Sequence, residues 1–326
     1  MNIAVFEVRK DEQEELARLK QRHNLNLHCF SGPLTDPSQL PDGTEAVSTL
    51  GQSQLTAPLL AALAEKGVRA LSTRTIGYNH IDLEGAKAAG IRVKSASYPA
   101  DGVADFTIML VLMTLRHYNP ALWRQQVNDY SLGGLMGREL RHQTVGVIGT
   151  GRIGSTVIRS LQGFGCTILA NNPSPRPELE GMARFLPLEE VIRQSDIITV
   201  HLPLTPESYH MIDRETLATA KDGVILINTA RGELMELDAL IEGIESEKIG
   251  ALAMDVFENE DGIYHQNRKT DILRNQKMAY LRQFPNVVLT QHMAFYTDTN
   301  VRSMVDCGIE GLLTLQETGS APTLLI

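Results

Sequence analysis

Short apolar runs and amphipathic segments alternate along the first part of the chain. The apolar runs are bounded by polar or glycine-containing stretches, as is typical of buried strands, and the segments between them carry apolar residues at helical spacing. This pattern predicts strands at residues 2–8, 46–49, 70–73 and 92–94, and helices at residues 12–23, 57–66 and 83–89. Because strands and helices take turns, we expect a parallel sheet with helices on both faces.

The pattern is interrupted at Tyr98 and Pro99. The next predicted helix, residues 102–117, is apolar on nearly every face and must therefore be buried, at a domain or a subunit interface. A further helix is predicted at residues 119–130. A second alternating series then follows, with strands predicted at 144–148, 167–170, 197–202, 224–228, 250–255 and 286–290, and helices at 153–163, 188–194, 236–245 and 298–317.

This organisation predicts an α/β fold with two doubly wound parallel-sheet domains. The chain has 326 residues, more than one hydrophobic core usually serves, and we expect the second domain to begin near residue 99. Hydrophobic residues make up 43% of the chain and charged residues 21%, which is typical of a globular protein and argues against disorder.

The net charge and the cysteine content indicate which kinds of partner and which cellular compartment to expect. A net charge of −9 disfavours nucleic acid or an anionic membrane as the main partner, but it permits one local basic pocket for a small anion. Cys29, Cys166 and Cys307 are odd in number and lack metal-ligand spacing, so we expect neither a disulfide framework nor a metal site. The N-terminus shows no signal-peptide pattern. These features favour the cytoplasm.

Residues 149–154 match the G-x-G-x-x-G pattern that binds the pyrophosphate of a dinucleotide. The pattern follows a predicted strand directly and begins a predicted helix, the context that makes it specific. Gly149 permits the tight turn, Gly151 lets a pyrophosphate approach the backbone, and Gly154 allows close packing of helix and strand. The residues predicted to bind the cofactor here are Gly149, Thr150, Gly151, Arg152, Ile153 and Gly154.

The choice between NAD and NADP stays open at this stage. An acidic residue about 20 positions after the glycine turn would bind the ribose 2′-hydroxyl of NAD. The next predicted strand ends instead in Asn171 and Asn172, neither of which is acidic. Asn172 can still bond a ribose, and Arg176 could meet the 2′-phosphate of NADP or simply be a solvated loop arginine.

Three chemically suitable side chains follow three different predicted strands. Reduction of a keto acid needs a cation for the carboxylate, an acid for the carbonyl oxygen, and a partner that orients this acid. Arg231 follows the strand at 224–228, Glu258 and Glu260 come after the strand at 250–255, and His292 follows the strand at 286–290. Ligands of open α/β sheets bind at the carboxyl ends of strands, so we expect these side chains to meet there. The sequence pattern alone leaves the choice between Glu258 and Glu260 open.

Together these motifs resemble the D-isomer-specific 2-hydroxyacid dehydrogenase family over nearly the whole chain, and most of all the branch that holds D-lactate dehydrogenase and its relative in vancomycin resistance. The matching segments are residues 72–82, 149–154, 201–203, 228–232, 255–260 and 292–296.

The resemblance implies a role for each matching site residue. Arg231 would bind the substrate carboxylate, and His292 would be the general acid in reduction, with Glu260 favouring its charged form. The further substrate-binding residues that it implies are Ile76 and Gly77, through their backbone N–H groups, and Tyr98 and Phe295. The further cofactor-binding residues are Asn172, His201, Pro203, Thr229 and Asp255, with Asp255 at the nicotinamide end.

The resemblance also implies an arrangement of domains and subunits. A Rossmann dinucleotide-binding domain, residues 99–296, would be inserted into a flavodoxin-like substrate domain, residues 1–98 plus 297–326, and the protein would form a homodimer. Gln291 and Met293 depart from the residues that the family often has around its histidine. We expect these two differences to alter the shape of the pocket slightly.

The expected activity is therefore reduction of a small, pyruvate-like 2-keto acid by NADH, with NADPH as a possible cofactor, to give the D-2-hydroxy acid. One alternative keeps the chemistry and changes the substrate to a larger acid such as phenylpyruvate or a branched keto acid. Another alternative is a dinucleotide-sensing binding protein like the corepressors of this family. The absence of a long polar tail disfavours the corepressor.

Overall fold

The computed structural model describes residues 1–174 and 176–326, which form two compact units. The first unit comprises Met1–Pro99 and Tyr296–Ile326, and the second comprises Ala100–Phe295. The second unit is therefore one continuous segment inserted into the first. The boundaries predicted from the sequence, after residue 98 and after residue 296, each lie one residue away.

Strands and helices of the described chain are numbered here in chain order. The strands are β1 (Asn2–Val5), β2 (Asn26–Cys29), β3 (Ala46–Thr49), β4 (Ala70–Thr73), β5 (Arg92–Lys94), β6 (Thr144–Ile148), β7 (Thr167–Asn171), β8 (Arg184–Phe185), β9 (Ile197–Val200), β10 (Val224–Asn228), β11 (Ile249–Met254) and β12 (Val287–Leu289). The helices are α1 (Gln13–Arg22), α2 (Ala57–Glu65), α3 (Leu83–Ala88), α4 (Asp101–Leu115), α5 (Tyr118–Gln126), α6 (Arg152–Gln162), α7 (Leu188–Gln194), α8 (Arg214–Thr219), α9 (Leu237–Glu245), α10 (Gln276–Leu281) and α11 (Asp298–Thr318).

The first unit contains a five-stranded parallel sheet in the order β2-β1-β3-β4-β5. This is the flavodoxin-like order of doubly wound sheets, so the predicted fold class is confirmed for this unit. Strand β1 is shorter than predicted because the chain turns at Glu7, whose φ of 59° lies in the left-handed region. The predicted pattern missed β2, which has one buried residue, Leu27.

Helix α11 packs over two buried cationic side chains of the first unit. Gly308 leaves room for Arg74, because a Cβ atom at this glycine would lie 2.8 Å from Arg74 Cγ. Gly311 does the same for Lys94, whose Cε would lie 2.3 Å from an added Cβ. Arg74 is fully buried and pairs with the equally buried Glu12 at 2.9 Å. A larger side chain at either helix position would therefore require Arg74 or Lys94 to move.

The second unit contains a seven-stranded parallel sheet in the order β12-β11-β10-β9-β6-β7-β8. Counted from β6 as the first strand, this is the Rossmann order 3-2-1-4-5-6 with one further strand, which confirms the predicted dinucleotide-binding architecture. Every pairing is parallel, so the carboxyl ends of all seven strands lie at one edge. Strands β9 and β10 are fully buried, as their continuous apolar sequences predict.

Helix α4 is buried along most of its length, as its sequence predicts. Residues such as Leu110 and Val111 belong to the core of the second unit, but Met109 is 39% exposed. Met109 lies beside an open, mostly apolar cavity of about 720 Å³ between α4, α6 and their flanking residues. The following helix was predicted to reach residue 130, but α5 ends at Gln126. Within the described residues, no helix has both the length and the apolarity needed to span a membrane.

Candidate active site

The glycine turn joins β6 to α6 in the second unit. Gly149 has a φ of 89°, which favours glycine, and a Cβ there would lie 2.6 Å from the carbonyl oxygen of His201. A Cβ on Gly154 would lie 1.9 Å from the carbonyl oxygen of Gly149. Both positions therefore require glycine for reasons of packing, as the sequence pattern predicts.

The surroundings of the turn fit the pyrophosphate of a dinucleotide. A Cβ atom on Gly151 would meet no described atom within 4 Å, so the backbone is open at this point. Thr150 Oγ1 and His201 Nδ1 are buried, and neither has a hydrogen-bond partner in residues 1–174 and 176–326. Buried polar atoms without partners are costly, and a polar ligand at the start of α6 would supply them.

Asn172 stabilises the turn from the end of β7. Its Oδ1 accepts a hydrogen bond from the N–H of Thr150 at 3.0 Å, and its Nδ2 donates to the carbonyl oxygen of Ser174 at 2.7 Å. Arg176, the candidate for a 2′-phosphate, lies 3.8 Å from Glu178 in an exposed ion pair. The position that is commonly acidic in NAD enzymes is thus occupied by a neutral amide.

His201 lies on the other side of the glycine turn. Its Nε2 is 2.9 Å from Thr199 Oγ1, and burial of the ring lowers the pKa of His201 to about 4. The imidazole is therefore neutral near pH 7. Pro203 follows in the same loop, and its carbonyl oxygen accepts a hydrogen bond from Ser208 Oγ at 2.8 Å. Thr229 Oγ1 is 3.0 Å from Thr107 Oγ1, which ties the end of β10 to α4.

Arg231 follows β10 at the carboxyl edge of the sheet. Its backbone is fixed because Asn228 Nδ2 donates to the Arg231 carbonyl oxygen at 2.8 Å. Its Nη1 donates to the carbonyl oxygen of Ala230 at 2.6 Å, and the guanidinium forms no ion pair with a carboxylate among the residues that the structure describes. A Cβ on Gly232 would lie 2.2 Å from the N of Glu258, so the Arg231 turn packs directly on the loop after β11.

Glu260 and His292 form a direct pair between the loops that follow β11 and β12. His292 Nδ1 donates to Glu260 Oε1, and Glu260 Oε2 accepts a second hydrogen bond from the N–H of Phe257 at 2.7 Å. The side chains of His292 and Glu260 are 32% and 22% exposed, so the pair is half-buried but open to a ligand. With Nδ1 occupied, Nε2 of His292 is the ring nitrogen left for a substrate.

Asp255 holds the backbone that carries His292. Its Oδ1 accepts from Thr290 Oγ1 and from the N–H of Met293, and its Oδ2 accepts from the N–H of Ala294 at 2.7 Å. The N–H of His292 donates to the Asp255 carbonyl oxygen at 2.7 Å. Asp255 is fully buried, so these contacts fix the turn at the end of β12.

Glu258, the competitor of Glu260, points to a different partner. Its Oε2 lies 3.3 Å from Nε2 of His210. The residue between the two glutamates, Asn259, has a φ of 60°, and this left-handed turn is what separates their directions. The assignment of Glu260 to His292 therefore depends on the path of the loop, which the spacing of the two residues does not reveal.

Two neighbours of the pair, His265 and Tyr264, were not anticipated from the sequence. His265 Nε2 donates to the carbonyl oxygen of His292 at 3.1 Å, and Phe295 packs edge-on against the rings of both histidines. Tyr264 carries a buried hydroxyl beside Glu260 and Asp255, and burial together with these two carboxylates raises its pKa. His265 and Tyr264 lie in a charged, glycine-containing loop, where hydrophobic periodicity gives no signal.

The remaining predicted substrate residues belong to the first unit. Ile76 and Gly77 follow β4, and neither backbone N–H donates a hydrogen bond within the described part of the chain. Thr75 Oγ1 donates to the Gly77 carbonyl oxygen at 2.6 Å and so shapes this loop. Tyr98 is half-buried and lies in the segment that follows β5.

The geometry of the second unit defines a class of protein. A glycine turn with room for a pyrophosphate, a carboxylate-bonded imidazole and a guanidinium with free donors lie at the carboxyl ends of strands in one Rossmann sheet. No cluster of His, Cys, Asp and Glu side chains suited to a metal ion is found in the described ranges. These features are typical of a nucleotide-dependent oxidoreductase.

Comparison with known proteins identifies the family within this class. The family model described as "D-isomer specific 2-hydroxyacid dehydrogenase, NAD binding domain" matches residues 108–294. An aromatic 2-oxoacid reductase of Clostridium sporogenes is 40% identical over 322 residues, covering 97% of this chain and 96% of the relative. A D-specific alpha-keto acid dehydrogenase of Enterococcus faecium is 34% identical over 317 residues, covering 97% of each.

Solved structures agree with the sequence relatives. The apo-structure of D-lactate dehydrogenase from Escherichia coli superposes with a TM-score of 0.88 and 31% identity, over 100% of both chains. The chain therefore belongs to the D-isomer specific 2-hydroxyacid dehydrogenase family, and the predicted enzyme class and NAD cofactor are confirmed.

Proposed function

We propose that the protein reduces a 2-keto acid to the D-2-hydroxy acid, with His292 as the general acid, Glu260 as its partner and Arg231 as the carboxylate-binding residue. The observation that carries this proposal is the bond from His292 Nδ1 to Glu260 Oε1 at the carboxyl edge of the Rossmann sheet. NADH, when bound at the glycine turn, supplies the hydride.

His292 moves one proton in this scheme. In reduction, Nε2 gives its proton to the carbonyl oxygen of the substrate, while Nδ1 keeps its hydrogen bond to Glu260. The bond to the carboxylate fixes the tautomer and leaves Nε2 facing the substrate. In oxidation of the hydroxy acid, the neutral Nε2 accepts the proton again.

Arg231 provides the binding energy for the carboxylate. Its planar guanidinium suits a two-point contact with a carboxylate, and its backbone is fixed by Asn228. The roles proposed for Ile76, Gly77, Tyr98 and Phe295 as substrate contacts are supported by the family resemblance. The free N–H groups of Ile76 and Gly77 are suitable donors for an anionic oxygen.

Two substrates are distinguished by size. A small, pyruvate-like acid is the assignment that the resemblance to D-lactate dehydrogenases supports. A larger aromatic acid such as phenylpyruvate is the second candidate, because the aromatic 2-oxoacid reductase at 40% identity is more similar in sequence than the D-lactate dehydrogenase of Escherichia coli K12 at 32%.

We further propose that the protein is a homodimer. The segment after α4 exposes several large apolar side chains that would otherwise face water. They are Tyr118, Leu122, Trp123, Val127, Tyr130, Leu132 and Met136. A concentration of exposed apolar side chains like this marks a protein–protein interface. A second copy of the chain is the partner that the family resemblance supports.

The activity is tested by mixing the protein with NADH or NADPH and a panel of pyruvate, phenylpyruvate and a branched keto acid, and following cofactor absorbance. We expect oxidation of NADH with at least one acid. A His292→Gln variant should lose about 10²- to 10⁴-fold in kcat and keep its affinity for the cofactor. A His142→Gln variant, changed at an exposed site, is the control. Absence of turnover with every acid would exclude the proposal.

A further inference from the structure

We propose that His265 is a positioning residue, which holds the backbone turn of His292 in the conformation that presents its imidazole. This inference rests on the proposed role of His292 and adds a second histidine to the site. His265 contacts the carbonyl oxygen of His292 and leaves the reacting ring nitrogen untouched. Its contribution is therefore expected in the geometry of the acid.

The backbone of His292 needs such support because its φ is 51°, in the left-handed region that non-glycine residues rarely adopt. A residue in this region keeps its conformation only where its surroundings fix it. The N–H side of the turn is fixed by Asp255, which bonds His292, Met293 and Ala294. None of these bonds involves the carbonyl oxygen of His292.

His265 supplies the missing contact on the carbonyl side. Its Nε2 lies 3.1 Å from the His292 carbonyl oxygen. A carbonyl oxygen can only accept, so Nε2 must carry the hydrogen and donate it. The same bond forms whether the imidazole of His265 is neutral or charged, since Nε2 carries a hydrogen in both. The turn is thus fixed from both sides.

The loop that provides Glu260 also delivers His265. The Glu260 carbonyl oxygen accepts from the N–H groups of Ile263 and Tyr264, at 3.0 and 3.2 Å, and His265 itself has a φ of 60°. This tight turn reverses the chain, so that one loop contacts His292 twice. Glu260 bonds the imidazole, and His265 bonds the carbonyl of the same residue.

The rings of His265, His292 and Phe295 form a triangle with centroids 6.1 to 6.3 Å apart. His265 meets Phe295 edge to face, at 72° between the ring planes. A phenylalanine at position 265 would keep these ring contacts and lose only the donor. A glutamine there would keep a donor at a comparable reach and lose the ring. The two substitutions therefore separate hydrogen bonding from packing.

The test compares His265→Phe and His265→Gln in steady-state reduction of the best keto acid. We expect His265→Phe to lower kcat about three- to tenfold, the effect of one lost hydrogen bond on the transition state, with KM changed less than about twofold. His265→Gln should restore kcat to within about twofold of the unsubstituted enzyme. A His142→Phe variant makes the same chemical change at an exposed site and should leave both constants unchanged.

Three results would overturn the inference: full activity in His265→Phe, an equal loss in both variants, or a change confined to KM. A second measurement does not need turnover. The imidazole resonances of His292, assigned by their absence in His292→Gln, should stay sharp in His265→Gln and broaden in His265→Phe as the turn samples other conformations. Identical resonances in both variants would reject the positioning role. If the unsubstituted protein showed no turnover but His265→Phe still showed this broadening, the proposed function would be rejected and the positioning role of His265 would stand.

Discussion

At the scale of single residues, the hydrogen bond between His292 and Glu260 fixes the orientation of the proposed acid. Because the glutamate also accepts from the Phe257 N–H, its carboxylate has a fixed direction, and the imidazole it bonds is fixed in turn. Arg231 needs no such partner, since its guanidinium is always charged. The proposed acid, His292, therefore depends on its neighbours more than the proposed carboxylate-binding residue, Arg231, does.

Replacing Glu260 by Gln should weaken the acid without removing it. The amide can still accept a hydrogen bond from Nδ1, but it carries no negative charge and makes a weaker bond. We expect kcat for keto acid reduction to fall about 10- to 100-fold, the range for losing a bond to a charged group. Steady-state kinetics provide the measurement. Glu258→Gln is the matched control, because this neighbour pairs with His210 and should change kcat less than about twofold.

His201 should make stability sensitive to acid. Its folded-state pKa of about 4 lies below the ordinary value of 6.5, so the unfolded chain binds a proton more readily than the folded one. This difference lowers the unfolding free energy as the pH falls from 6.5 towards 4, by about 3 kcal/mol in all. Above pH 6.5 the imidazole is neutral in both states and the unfolding free energy is not reduced.

Urea unfolding at pH 7.5 and at pH 5 measures this effect. The difference in unfolding free energy between these pH values should be smaller in a His201→Gln variant than in the unsubstituted protein. An unchanged difference would show that other groups cause the acid sensitivity.

Among the elements, α6 shows how one helix serves both packing and binding. Its first turn must lie against the backbone of the glycine turn, and its last turn ends at Gly163 with a φ of −63° that any residue can adopt. The two ends of α6 therefore differ in what they tolerate. Gly154 is required by the close approach to Gly149, and Gly163 is not.

Alanine substitutions at these glycines should have opposite consequences. Gly154→Ala places a Cβ 1.9 Å from the Gly149 carbonyl oxygen, and we expect a loss of about 1–3 kcal/mol in unfolding free energy together with weaker NADH binding. Gly163→Ala meets its nearest atom, the Ser160 carbonyl oxygen, at 3.7 Å and should be neutral or stabilising by about 0.5 kcal/mol. Chemical denaturation and fluorescence titration with NADH check both. Equal stabilities would contradict the packing argument.

At the level of the whole molecule, the residues proposed for binding and reaction are distributed over two units, each with one parallel sheet. The flavodoxin-like unit carries the loop of Ile76 and Gly77, and the Rossmann unit carries the glycine turn and the His292–Glu260 pair. The Rossmann unit also carries the exposed apolar segment from Tyr118 to Met136, which is why assembly is expected to depend on this unit.

A charge in the exposed apolar segment should prevent the proposed dimer. Trp123 is 64% exposed, and an aspartate there would be buried without a partner if a second copy covered it. We expect Trp123→Asp to convert the dimer to a monomer in analytical ultracentrifugation. Met182→Asp, which places the same charge at an exposed apolar residue outside the segment, should leave the mass unchanged. A monomeric unsubstituted protein would reject the dimer itself.

The sequence determined those parts of the protein whose cause is local. Buried strands such as β9 and β10 have continuous apolar sequences because both faces of a parallel sheet are covered, and their positions were predicted closely. The glycine turn was predictable because no other residue fits at Gly149 and Gly154. Arg231 and His292 were found because each lies three residues beyond the end of a strand, at the edge of the sheet where ligands bind.

The tertiary structure decided whatever depends on the path of a loop or on partial burial. Edge strand β2 was missed because water covers part of it, which leaves too few apolar residues to form a pattern. The contact of Glu260 with His292, the bonds from Asp255 and the approach of His265 depend on left-handed turns at Asn259, His265 and His292. Such turns are fixed by contacts between residues distant in the chain, and local sequence carries no signal of them.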